Sequence, residues 1–127
     1  WRYNKQRVGS WVLEEPIHFF DLARWYMGSA GEPVSVTARG NSRDDTRPDL
    51  YDNFTALIDF AGDEYAVVSQ TLAAFGHHQT GKVVGTEGTI WARWSAADAR
   101  SDQSTYELTC GLGDNIQHET RTLGIGR

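Results

Sequence analysis

Residues 9–28, GSWVLEEPIHFFDLARWYMG, constrain the fold more than any other stretch. Glu14, His18, Asp21 and Trp25 follow at steps of four, three and four, which is one stripe of an α-helix. Pro16 suits a first helical turn, where its missing N–H costs nothing. Gly28 suits the left-handed residue just past a helix end. The punctuation therefore predicts a helix over 16–27. Glu14 would then lie near the positive end of its dipole, where a carboxylate is favoured.

The remaining helix positions are apolar: Ile17, Phe19, Phe20, Leu22, Ala23, Tyr26 and Met27. A helix apolar nearly all round is expected to be buried. Its polar stripe must then find partners or face a cavity. Two readings follow. His18 is either a satisfied core histidine, with Asp21 paired to an arginine such as Arg24 or Arg7, or part of a pocket wall.

After this helix the chain reads mostly as strand. Val34, Val36 and Ala38 alternate with Ser35, Thr37 and Arg39, a half-buried strand over 34–40. Residues 41–52 form a polar loop containing Pro48. A strand over 53–60 puts Phe54, Ala56, Ile58 and Phe60 on one face, and Ala61-Gly62-Asp63-Glu64 turns it into a return strand over 65–73. A second hairpin over 82–94 turns at Glu87-Gly88; residues 95–104 are a polar loop, and strands are predicted near 105–110 and 118–123. The class is α+β: an open, mostly antiparallel sheet with an N-terminal helix packed on one face.

Length predicts one domain, large enough to bury a core. The net charge of −5 and the lack of a basic run argue against a nucleic-acid surface. No apolar run approaches a membrane span. The single Cys110 cannot form an internal disulfide, which fits a reducing, cytoplasmic compartment. His77 and His78 are adjacent, so on a strand they point to opposite faces, and no metal site is expected. Gly111-Leu112-Gly113 lacks the third glycine and the helix of a dinucleotide fingerprint.

The stripe Glu14, His18, Asp21 with Trp25 and Gly28 resembles the start of the C-terminal domain in the glucose–fructose oxidoreductase / inositol dehydrogenase / MocA family. Val84-Gly85-Thr86-Glu87-Gly88-Thr89-Ile90-Trp91 resembles its later strand–turn–strand. The resemblance covers about residues 7–95. It implies a hydride-transferring enzyme acting on sugars, inositols or related polyols. NAD or NADP would be held by an N-terminal Rossmann domain. His18 takes the place of the acid/base at the reacting hydroxyl, helped by a lysine of that other domain. Glu14 stands where the family usually has aspartate, and orients the substrate or supports His18; Glu15 is the alternative for either part. Asp21 supports the site, while Trp11 and His78 are candidate substrate contacts. The chain is then expected to be a fragment, with the cofactor domain upstream, that oligomerises through its sheet face. Two other readings stay open: an oligomerising module without catalysis, and a small pocket domain in which His18 lines a closed cavity within this chain alone.

Overall fold

The computed structural model describes residues 1, 3–72, 78–95 and 103–124. They form two compact units, Trp1–Ala73 and Ala74–Arg127. The α+β class is borne out, with helices at the start and antiparallel strands after them; the strands form two sheets instead of one.

The first unit opens with two one-turn helices, α1 (Lys5–Val8) and α2 (Trp11–Glu14). Each is nucleated by a side-chain cap: Asn4 accepts from the backbone N–H of Gln6, and Ser10 from that of Val12, both at 3.0 Å. The main helix, α3 (Ile17–Tyr26), starts behind Pro16, which is fully buried. The predicted single stripe is therefore split. Glu14 ends α2, and the chain turns through Glu15 and Pro16 before α3 begins. Gly28 is not the left-handed residue either. It opens a 3-10 turn, Gly28–Ala30, and the positive φ of 85° falls on Gly31. The chain reverses there, where an added Cβ would meet the Ala61 side chain at 3.4 Å.

Strands β1 (Pro33–Asn41), β2 (Asn53–Phe60) and β3 (Tyr65–Thr71) form an antiparallel sheet in that order. The turn between β2 and β3 closes with the Phe60 N–H donating to Glu64 O at 2.9 Å and Asp63 at φ 71°. Alternation along β2 and β3 buries Ala56, Ile58, Phe60, Ala66 and Val68, which join Ala30. Phe19, Phe20, Ala23 and Met27 of the helical segment pack onto that cluster. Phe20 meets Phe54 with ring centroids 5.9 Å apart.

The helix is not buried, contrary to expectation: none of its residues falls in the core, and Ile17, Tyr26 and Trp25 are 45%, 54% and 76% exposed. Only one side meets the sheet, and no described residue of this unit covers the rest. The sheet face away from the core pairs Ser35–Asp59–Tyr65, Thr37–Leu57–Val67 and Arg39–Thr55–Ser69 across its three strands. Of these, Leu57, Val67 and Tyr65 are exposed.

The 42–52 loop is held by carboxylates. Buried Asp52 accepts from the Arg43 N–H and from Asn53 Nδ2, both at 3.0 Å. Asp44 accepts from the backbone and hydroxyl of Thr46 and pairs with Arg47. The Thr46 hydroxyl is the main reason its carboxyl sits below the usual carboxylate range, with Arg47 adding to it. A depressed folded-state pKa gives stability that is present above the ordinary aspartate value and lost as pH falls through the folded one. We expect the protection factors of the Thr46 and Arg47 amides, corrected for the intrinsic pH dependence of exchange, to fall below about pH 4, a change Asp44→Asn abolishes. Protection factors constant with pH across that range contradict the assignment.

The second unit is an antiparallel sheet ordered β4 (His78–Val84), β5 (Gly88–Ser95), β6 (Gln103–Leu112), β7 (Asn115–Gly124). The Glu87-Gly88 hairpin is found as predicted, closed by the Gly85 N–H donating to Gly88 O at 2.8 Å. A Cβ at Gly88 would run into the Gly111 carbonyl oxygen, so the close approach of β5 to β6 requires glycine there. Part of the predicted 95–104 loop and residues 75–77 of the segment holding His77 lie outside the described residues.

Candidate active site

On α3, His18, Asp21 and Trp25 keep their helical spacing and all three face outward. The His18 N–H donates to Glu15 O at 3.2 Å, which ties the first turn of α3 to the break behind α2. The His18 imidazole has no hydrogen-bond or ion-pair partner among the described residues, and neither do the carboxylates of Asp21 and Glu15. The core-histidine reading therefore fails: His18 is exposed and unsatisfied. Its companion fails too, because Arg24 turns to Glu32 at 2.9 Å instead of to Asp21. Glu14 is half-buried at the end of α2, one turn of chain before His18.

Trp11 is half-buried. Its ring stands edge-on to Tyr3, with centroids 5.7 Å apart at 76°. Tyr3 in turn lies under the Arg47 guanidinium at 4.6 Å, and Lys5 pairs with Asp49 at 3.2 Å. These contacts fasten the segment carrying Trp11 and Glu14 to the 42–52 loop. Trp25 stacks on Tyr26 at 5.6 Å. His78 is the first residue of β4 in the second unit, exposed and paired with Ser95.

Each unit has a concave surface of about 390 Å³, and His18 lines neither. In the first unit it lies at one end of the open sheet face, among Arg39, Asn41, Asn53, Thr55, Ser69 and Thr71. In the second it lies on the sheet around Trp91. Neither was foreseen from the sequence, although the spacing of alternate polar residues on neighbouring strands was the available signal. The reading in which His18 lines a closed cavity of this chain alone has no support in either surface.

The fold is α+β, with helices followed by antiparallel strands, and α3 presents His18, Asp21 and Trp25 on its surface. The chain belongs to the GFO/IDH/MocA C-terminal domain family, whose model matches residues 1–91. It is 31% identical over 97 residues to an inositol 2-dehydrogenase of Rhizobium meliloti (strain 1021), an alignment covering 68% of this chain and 27% of that protein. The chain thus spans about a quarter of the curated relative's length. Among the described residues no helix is long and apolar enough to cross a membrane.

Proposed function

We propose that residues 1–127 are the substrate-binding part of a larger NAD(P)-dependent oxidoreductase that moves a hydride between a nicotinamide and a sugar, inositol or related polyol. The observation that carries this reading is His18 on the surface of α3 beside the carboxylates of Glu15 and Asp21, none of the three with a side-chain partner among the described residues. Oxidising a secondary alcohol requires a base at its hydroxyl, and histidine ordinarily titrates close to working pH. His18 takes the hydroxyl proton in oxidation and returns it in reduction. Glu14 or Glu15 orients the substrate or the imidazole, and Asp21 supports the site. Trp11 and His78 are assigned to substrate contact. The family match and the inositol 2-dehydrogenase similarity support the substrate class.

The sequence carries no dinucleotide fingerprint: Gly111-Leu112-Gly113 runs off the end of β6 into a hairpin, not into a helix N-terminus. NAD or NADP is assigned to another part of the larger protein. The uncovered side of α3, with Ile17, Leu22, Trp25 and Tyr26 exposed, is apolar surface of the kind a packed neighbour covers. The single free Cys110 fits a reducing compartment, and we place the protein in the cytoplasm. The test is nicotinamide reduction by the larger enzyme against inositols and sugars, with His18→Ala beside the wild type. Turnover by the variant at the wild-type rate refutes the assignment.

A second reading, an oligomerising module, is favoured by the open sheet face, where Leu57, Val67 and Tyr65 are 38%, 57% and 63% exposed. The two readings are compatible, since a catalytic domain can also assemble through its sheet. We expect sedimentation to show a homo-oligomer that Leu57→Glu converts to monomer, because a charge pressed into an apolar contact between copies is strongly disfavoured. A wild-type monomer at all accessible concentrations excludes this use of the face.

A further inference from the structure

The sheet of the second unit carries a group of side chains that the His18 chemistry does not use. Register places Lys82, Trp91, Thr109 and His118 side by side across four strands, and Thr80, Arg93 and Glu107 in the next row of the same face. All of these except His118 line the concave surface of about 390 Å³, and Gly81 and Ala92 complete it. Trp91 is 41% exposed. Lys82 Nζ stands 5.7 Å from its centroid, a contact weak enough at an exposed site for a ligand to displace. Thr109 and His118 are held by a 2.8 Å hydrogen bond between Oγ1 and Nδ1. Arg93 and Glu107 are directly opposed, yet neither hydrogen-bonds nor ion-pairs among the described residues. The family match ends at Trp91, so half of the residues lining this surface lie beyond it.

Each component restricts the occupant. A flat indole face takes a flat apolar face. Two cations, Lys82 and Arg93, against one anion, Glu107, leave the cleft positive, which complements a carboxylate. Glu107 accepts but does not donate, so the occupant must bring hydrogen-bond donors of its own. An aromatic acid supplies the face and the carboxylate without the donors. A pyranose carrying a carboxylate supplies all three: its C–H face for Trp91, its hydroxyls for Glu107 and the threonines, and its acid group for Arg93. We propose that this cleft, whose lining shares no residue with the His18 stripe, is a binding site for a hexuronate-type sugar acid.

The experiment is calorimetric titration of the intact protein with sodium glucuronate and with methyl β-glucoside, in wild type and in His18→Ala. The expected result is glucuronate binding that persists in His18→Ala, with the neutral glucoside about tenfold weaker for lack of the charged contact. Trp91→Ala and Arg93→Gln should each weaken glucuronate binding about tenfold. Arg93→Gln keeps the test decisive if Trp91→Ala fails to fold. Three results overturn the proposal: no glucuronate binding, binding unaffected by Arg93→Gln, or a glucoside that binds as tightly. Loss of binding in His18→Ala also overturns it, because the ligand would then occupy the other site. That outcome leaves the reading of His18 standing.

Discussion

His18→Ala in the larger enzyme is expected to lower kcat by about 10²- to 10⁴-fold, the usual contribution of a positioned acid/base group. The fold should survive, because His18 is exposed and supports nothing in the core. Surface substitutions of this kind typically change stability by within about 0.5 kcal/mol. The pairing of a large kinetic loss with a negligible stability change is the useful signature. A histidine that mattered through packing would show the reverse. Because proton transfer is confined to the reacting step, kcat and kcat/KM should fall together, with KM little changed. Glu15→Gln and Asp21→Asn serve as graded controls. Each leaves an exposed side chain of similar size but removes a charge beside the imidazole, so each should cost less than His18→Ala. A kcat for His18→Ala equal to wild type, with the protein folded by circular dichroism, rejects His18 as the acid/base.

The sheet of the first unit was legible because alternation encodes it directly. Phe54, Ala56, Ile58 and Phe60 repeat with period two between turn formers, and β2 is found at Asn53–Phe60, the residues predicted. The Asp63 turn was legible for the same reason: few residues accept its left-handed backbone, and aspartate is among them. The start of α3 was legible in Pro16. What lay before it was not. Helical spacing extends through Glu14 in the sequence, but Ser10 caps a separate turn and the chain breaks at Glu15. A capping serine six residues upstream was the overlooked signal. The exposure of α3 was misread on a different ground. Apolar residues around a helix report that it is covered, without saying by what. Phe19, Phe20, Ala23 and Met27 find their cover in this unit, while Ile17, Leu22, Trp25 and Tyr26 do not. The surface around Trp91 was illegible for a further reason. Its members come from three or four strands, and only the register of the sheet reveals that they share a face.

Phe60→Ala is expected to destabilise the first unit by about 3–5 kcal/mol. Phe60 is 3% exposed and is the largest member of a cluster otherwise built from Ala30, Ile58, Ala66 and Val68. Where in that range the loss falls depends on how far Phe19, Phe20, Met27 and Phe54, which pack against the cluster, move into the space the ring leaves. Domains are commonly stable by only about 5–15 kcal/mol, so the variant should approach the edge of folding at ambient temperature. The measurement is urea unfolding followed by hydrogen exchange at the β2 and β3 amides, which reports on the first unit alone. Leu57→Ala is the matched comparison. It lies on the same strand, three residues from Phe60, but on the open face and 38% exposed. In an isolated copy it should cost well under half as much, since most of its surface already meets water. The contrast between the two positions therefore tests the register of β2 itself, because a slip of one residue would exchange the faces. Equal losses at both positions would mean that Leu57 is buried in solution by something outside the unit. Repeating the pair at low and high protein concentration identifies that cover. A Leu57→Ala cost that grows with concentration makes it a second copy of the chain, and a constant one places it within the same molecule.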